Sequence, residues 1–138
     1  MQRARSRRPL ATIGAAFSIF VLAGCAGTDE GTVCPPIGYF STLHVTFEGQ
    51  TPDEVKLCAD DVCAPSDEAA AEGMIVTPPT VAGATWTFTG QFAPDLTILA
   101  LAADGTVLAD GGIDPEWVRT GGSAECGGPA EASVTVRT

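Results

Sequence analysis

Five cysteines, one histidine and a carboxylate-rich late segment are the groups of this 138-residue chain suited to covalent, acid–base or metal chemistry. Cys25 follows Leu22-Ala23-Gly24. An apolar residue and two small ones ahead of a cysteine suit cleavage just before it, which would leave Cys25 as the first residue with its thiol open to modification. Setting Cys25 aside leaves Cys34, Cys58, Cys63 and Cys126, an even number that in an exported chain reads as two disulfides. Cys58 and Cys63 flank Ala59-Asp60-Asp61-Val62. With Asp60-Asp61 as a two-residue turn, Ala59 and Val62 form the hydrogen-bonded pair. The two cysteines then face each other one step back, at a non-hydrogen-bonded pair, where side chains are closest. Cys34 and Cys126 pair by elimination. On the loop-entropy account the larger loop stabilises by about 4–5 kcal/mol and the small one by roughly 2 kcal/mol. A C-x4-C spacing without histidines is neither a zinc nor a redox motif.

Alternation places His44 on the outer face of a strand, where a solvated histidine is expected. Alone it cannot build a zinc site, and as a base it needs a nucleophile and an orienting acid. No Gly-x-Ser-x-Gly or Ser-x-x-Lys pattern surrounds any hydroxyl. The chain is therefore not read as an enzyme, and no catalytic residue, metal or cofactor is expected. Asp110, Asp114 and Glu116 gather three carboxylates in seven residues. Calcium takes several oxygens at loop spacing, but the EF-hand register and terminal bidentate glutamate are missing, so a solvated acidic loop is expected. Trp117 and Arg119 are the residues best suited to binding, because an exposed tryptophan beside an arginine is the composition of a contact hot spot. The other reading of Trp117 is a cap over the open end of the domain, with Cys126 holding its loop.

Arg3, Arg5, Arg7 and Arg8 precede an apolar run from Leu10 to Leu22. The run suits a signal-peptide core and falls short of the roughly 20 residues of a spanning helix. With Leu22-Ala23-Gly24-Cys25 as its lipobox, the segment resembles bacterial lipoprotein signal peptides. That resemblance implies cleavage before Cys25, lipid on its thiol, and a protein anchored at the extracytoplasmic face of the cell membrane. Ser6-Arg7-Arg8-Pro9-Leu10 also looks like part of a twin-arginine signal, although Ala11 departs from the apolar consensus, so both export routes stay open. Residues 1–24 are expected as signal peptide, 25–33 as a flexible tether, and 34–138 as one domain.

Cleavage would remove four of the seven basic residues and none of the 17 acidic ones. Lys56, Arg119 and Arg137 then stand against 17 carboxylates, a formal charge of −14. Such a surface repels phosphate backbones, which excludes nucleic acid as a partner. It offers no polybasic patch, so membrane attachment must come from the lipid.

The elements that carry these residues read as strands. Leu43, Val45 and Phe47 alternate with polar neighbours, and Gly49 to Asp53 makes a turn. Val55 and Leu57 belong to a second strand that reverses at Asp60-Asp61. Ala64 to Gly73 forms a helical turn or a loose excursion, and Met74 to Val76 a short strand. Trp86 and Phe88 alternate with threonines. Leu96 to Ala102 is apolar on both faces, which predicts a central strand covered on both sides. Asp104-Gly105 is a hairpin turn before a return strand over 107–109. Asp110 to Gly128 reads as a long, conformable, glycine-rich loop, and 133–137 as the closing strand. About seven short strands without helical periodicity predict an all-β fold, a single antiparallel, immunoglobulin-like β-sandwich, with a small open barrel as the alternative.

The mature part resembles small lipoproteins of actinobacteria. The resemblance runs through the Leu57–Cys63 hairpin, Ala84-Thr85-Trp86-Thr87-Phe88, Ala102 to Val107, and Glu116-Trp117-Val118-Arg119 on to Pro129. It brings no activity and implies fold and location only. The expected function is a lipid-anchored binding or envelope-accessory module whose partner is an envelope protein or a ligand. The alternatives are a ligand-delivery lipoprotein of a transporter and a small hydrolase. A deep pocket with convergent polar groups favours the alternatives, and an apolar patch around Trp117 favours the binding module.

Overall fold

The computed structural model describes residues 31–138. The expected signal peptide, Cys25 and the expected tether up to Glu30 lie outside the described residues. β1 (Ser41–Glu48) forms where Leu43, Val45 and Phe47 alternate with Thr42, His44 and Thr46, and the three apolar residues are buried. β2 (Glu54–Ala59) turns at Asp60-Asp61 into β3 (Val62–Ala64). A short helix, α1 (Asp67–Ala71), follows; the Ser66 hydroxyl caps it by accepting from the Ala69 N–H at 3.0 Å. β4 (Thr80–Ala82) and β5 (Thr85–Gly90) form a hairpin, and β6 (Leu96–Leu101) and β7 (Val107–Ile113) form another. β8 (Val118–Arg119) and β9 (Ala130–Arg137) complete the described chain.

The strands make two sheets, β4-β5-β1-β9-β8 and β3-β2-β6-β7, and no strand of one sheet pairs with a strand of the other. The architecture is a β-sandwich and not the open barrel. Its pairing follows the immunoglobulin pattern. β1, β5 and β4 take the places of B, E and D, and β2, β6 and β7 those of C, F and G. β9 occupies the flank of β1 where strand A would lie. It runs parallel to β1, with His44 opposite Ser133 and Val45 opposite Val134, so the sandwich is not wholly antiparallel as expected. The cause is the path of the chain. β7 ends where β1 begins, β8 and its turn stay there, and β9 must start from that same end.

The core lies between the sheets. Phe88, Leu43, Leu57, Ile98 and Val45 are its largest fully buried side chains. Each such burial stabilises by about 1.5–3 kcal/mol. Trp86 is also buried, on β5, but its indole N–H has no hydrogen-bond acceptor among the described residues.

Four local expectations are corrected. Met74 to Val76 makes only an isolated bridge, Val76 with Gly90, because Pro78-Pro79 cuts the ladder short. β6 is central, as expected, but Leu99 and Leu101 on its outer face are only half-buried, since no further sheet among the described residues packs on that face. β7 continues through Asp110, Gly111 and Gly112 to Ile113, paired with Leu99 back to Leu96. Backbone pairing there needs no side chain, so glycines that read as loop remain in the sheet. The rest of the expected loop is not loose either. Gly122 and Gly128 pack against the backbone of Gly127 and Gly121, where a Cβ would collide. Ser123 N–H donates to the Gly127 carbonyl at 2.9 Å and Thr120 N–H to the Pro129 carbonyl at 2.8 Å. These glycines allow close approach instead of flexibility.

Candidate functional site

Sheet register gathers one end of the sandwich. Ser41 lies opposite Gly90, Thr42 opposite Glu131, Arg119 opposite Ala130, Cys58 opposite Thr97, and Leu96 opposite Ile113. The start of β1, β6 and β9 and the finish of β2, β5, β7 and β8 therefore meet there. Cys34 bonds Cys126 at this end, with their Cα atoms 5.1 Å apart. Cys58 bonds Cys63 across the β2–β3 hairpin in the expected register, Ala59 opposite Val62. Asp60 takes a positive φ of 51° in that turn, a conformation that aspartate tolerates better than most residues. At the opposite end, hydrogen bonds from the side chain and backbone of Thr106 hold the Asp104 carboxyl below its usual pKa.

Trp117 precedes β8 and stacks on Phe92, with ring centroids 5.2 Å apart and 29° between planes. Phe92 lies in the link from β5 to β6, and Trp117 keeps 37% of its surface exposed. It is therefore part cap and part surface. Phe92, Ala93 and Pro94 form a wall shared by two open clefts. One, of about 420 Å³, is lined by Val62, Ala69, Met74 and Phe92, with Asp60 and Glu72 at it. The other, of about 460 Å³, is lined by Tyr39, Gln91, Phe92 and Trp117. Arg119 is exposed on β8. Lys56 pairs with Glu54 at 3.0 Å and Arg137 with Glu48 at 3.3 Å, whereas Arg119 has no ion pair among the described residues. Phe92 and Tyr39 escaped the sequence reading. An aromatic residue in a link between strands was the available signal for Phe92.

His44 lies on the outer face of its sheet, as alternation requires, but it is not a freely solvated residue. Its Nδ1 is 3.0 Å from Thr87 Oγ1 and its Nε2 is 2.9 Å from Glu131 Oε1. The Glu131 carboxylate accepts, so Nε2 carries a proton, and the Thr87 hydroxyl donates to or accepts from Nδ1 according to the ring's charge. A hydroxyl, an imidazole and a carboxylate in sequence have the composition of a nucleophilic triad. The setting differs from one. Thr87 is in mid-strand, paired with His44 on one side and Thr80 on the other. The backbone at Thr87 is occupied by the sheet, whereas an oxyanion hole needs donors aimed at the reacting atom. The arrangement fastens β5, β1 and β9 together across their outer face.

Asp110, Asp114 and Glu116 do not converge. Asp110 is on β7, opposite Leu99. Among the described residues no three histidine, cysteine, aspartate or glutamate side chains form a group able to hold a metal. Compared with known protein families, curated proteins and solved structures, the chain finds no match.

Proposed function

We propose that this chain is a lipid-anchored binding module on the extracytoplasmic face of the cell membrane, acting by recognition and not by catalysis. The anchor reading rests on Leu22-Ala23-Gly24-Cys25 and the basic and apolar segments before it. The observation that carries recognition is the Trp117–Phe92 stack, which puts a partly exposed indole in one open cleft and against the Phe92 wall that this cleft shares with a second. Aromatic residues and arginine dominate binding hot spots, and a well-ordered aromatic surrenders little entropy on contact. Arg119 adds an exposed cation on an otherwise acidic chain, suited to an acidic group on the partner.

The test is association of the mature lipoprotein with envelope components isolated from its own cells. Trp117→Ala and Arg119→Ala are expected to weaken that association by roughly tenfold each, the scale of a hot-spot truncation. Thermal unfolding should move little, because neither residue belongs to the buried core. If Trp117→Ala unfolds the domain and Arg119→Ala leaves association unchanged, the segment is a structural cap and the recognition surface lies elsewhere.

A further inference from the structure

The described surface is not evenly polar. Eight large hydrophobic residues are exposed, and six of them cluster at the end closed by Cys34–Cys126: Val33, Ile37, Phe40, Ile75, Trp117 and Val118. Their placement follows from the chain. Val33 adjoins the disulfide, Ile37 and Phe40 lead into β1, and Val118 is opposite Glu131 near the start of β9. The Ile75 carbonyl accepts from the Gln91 N–H at 2.8 Å, just beyond the finish of β5. The far end carries Glu48 at the finish of β1 and Asp53, Ala103 and Asp104 in its turns, with Val107 as its one exposed large hydrophobic among the described residues.

The same end is where the chain leaves for its anchor. Eight residues, 26–33, separate Cys25 from Cys34, nine Cα steps in all. Fully extended they reach at most about 30 Å. The eight residues of β1 already span about 27 Å. The far end can therefore touch the membrane only with that segment stretched along the whole sandwich. The disulfide end meets it without strain.

We propose that this apolar fringe rests in the interfacial zone of the lipid bilayer and holds the sandwich upright, disulfide end down. The proposal depends on lipidation of Cys25. Aromatic rings with a polar edge, such as Trp117 and Tyr39, favour the boundary between headgroups and acyl chains. The fringe orients a domain that the lipid already retains. It does not attach the domain by itself, because carboxylates such as Glu116 and Glu125 accompany it and offer nothing to an anionic surface. The two clefts beside Phe92 then open toward the membrane, and the Trp117 end is reached from the plane of the bilayer.

The test uses the full mature lipoprotein in zwitterionic phosphatidylcholine vesicles, with and without bromine near the glycerol end of the acyl chains. Flotation first establishes whether the protein is membrane-bound. The fluorescence of Trp117 is read in the Trp86→Phe background, and that of Trp86 in Trp117→Phe. Brominated lipid is expected to lower Trp117 emission about twofold, the behaviour of an interfacial indole, and to leave buried Trp86 nearly unchanged. Ile37→Ser with Phe40→Ser should reduce the quenching and leave flotation intact, since both residues are exposed. Flotation without quenching of Trp117 overturns the orientation and leaves the anchor standing. Failure to float overturns both. Quenching that appears only when envelope membrane proteins are reconstituted into the brominated vesicles overturns the bilayer as occupant and points to a membrane protein.

Discussion

Trp86 and Trp117 put the same side chain to opposite uses. Trp117 stacks on Phe92 and keeps a face in solvent. Trp86 fills the core, yet its indole N–H is buried without an acceptor among the described residues. An unmet buried donor costs about 1–3 kcal/mol, which offsets part of what the ring gains by packing. Trp86→Phe removes that donor together with part of the ring. It is expected to change stability by less than about 1.5 kcal/mol, whereas Trp86→Ala should lose about 3–5 kcal/mol. Urea unfolding of both variants decides it, and a Trp86→Phe loss as large as that of Trp86→Ala would show that the indole N–H is no liability at this site. Residue roles were unevenly legible. Period-2 alternation was enough to put His44 outward, but its partners Thr87 and Glu131 lie 43 and 87 residues away. Only the order of strands in the sheet brings them together, and no local pattern announces that order.

Elements were most legible where local chemistry fixed the register. Asp60-Asp61 dictates a two-residue reversal, and that reversal alone sets Cys58 opposite Cys63. The second bridge followed by elimination, and it joins residues 92 apart. The two bridges restrain the unfolded chain unequally. Replacing both cysteines of a pair by alanine avoids a stray thiol. For Cys34 with Cys126 the expected loss is about 4–5 kcal/mol, and for Cys58 with Cys63 roughly 2 kcal/mol. Chemical denaturation under identical conditions measures the difference, and a costlier hairpin pair would mean that native packing around Cys58 outweighs chain entropy. β7 and β9 were less legible. Gly111 and Gly112 mark loops by composition, yet no neighbour lies within 4 Å of a Cβ built on Gly111, and pairing continues past it. The parallel placement of β9 depends on where β7 ends, a property of the path and not of any one strand.

At the scale of the whole molecule, charge and anchoring constrain each other. The mature chain would carry −14, with only Lys56, Arg119 and Arg137 as cations. A surface of that sign is repelled by anionic headgroups, and two of the three cations are already engaged by Glu54 and Glu48. No helix among the described residues is long and apolar enough to cross a membrane. Retention therefore falls to the acyl chains proposed for Cys25. Each buried methylene contributes about 0.8 kcal/mol, and a diacylglycerol supplies two chains where one holds only reversibly. Cys25→Ser is accordingly expected to move the protein from the membrane fraction into the soluble one, or to leave it as an unprocessed precursor of larger mass. The domain should keep both disulfides in the released form, because Cys34–Cys126 and Cys58–Cys63 lie wholly within residues 34–138. Cell fractionation with mass measurement of the product makes the comparison. A Cys25→Ser protein that is cleaved to mature size and still sediments with membranes would remove the lipid from the account. The apolar fringe at the disulfide end would then have to retain the domain alone.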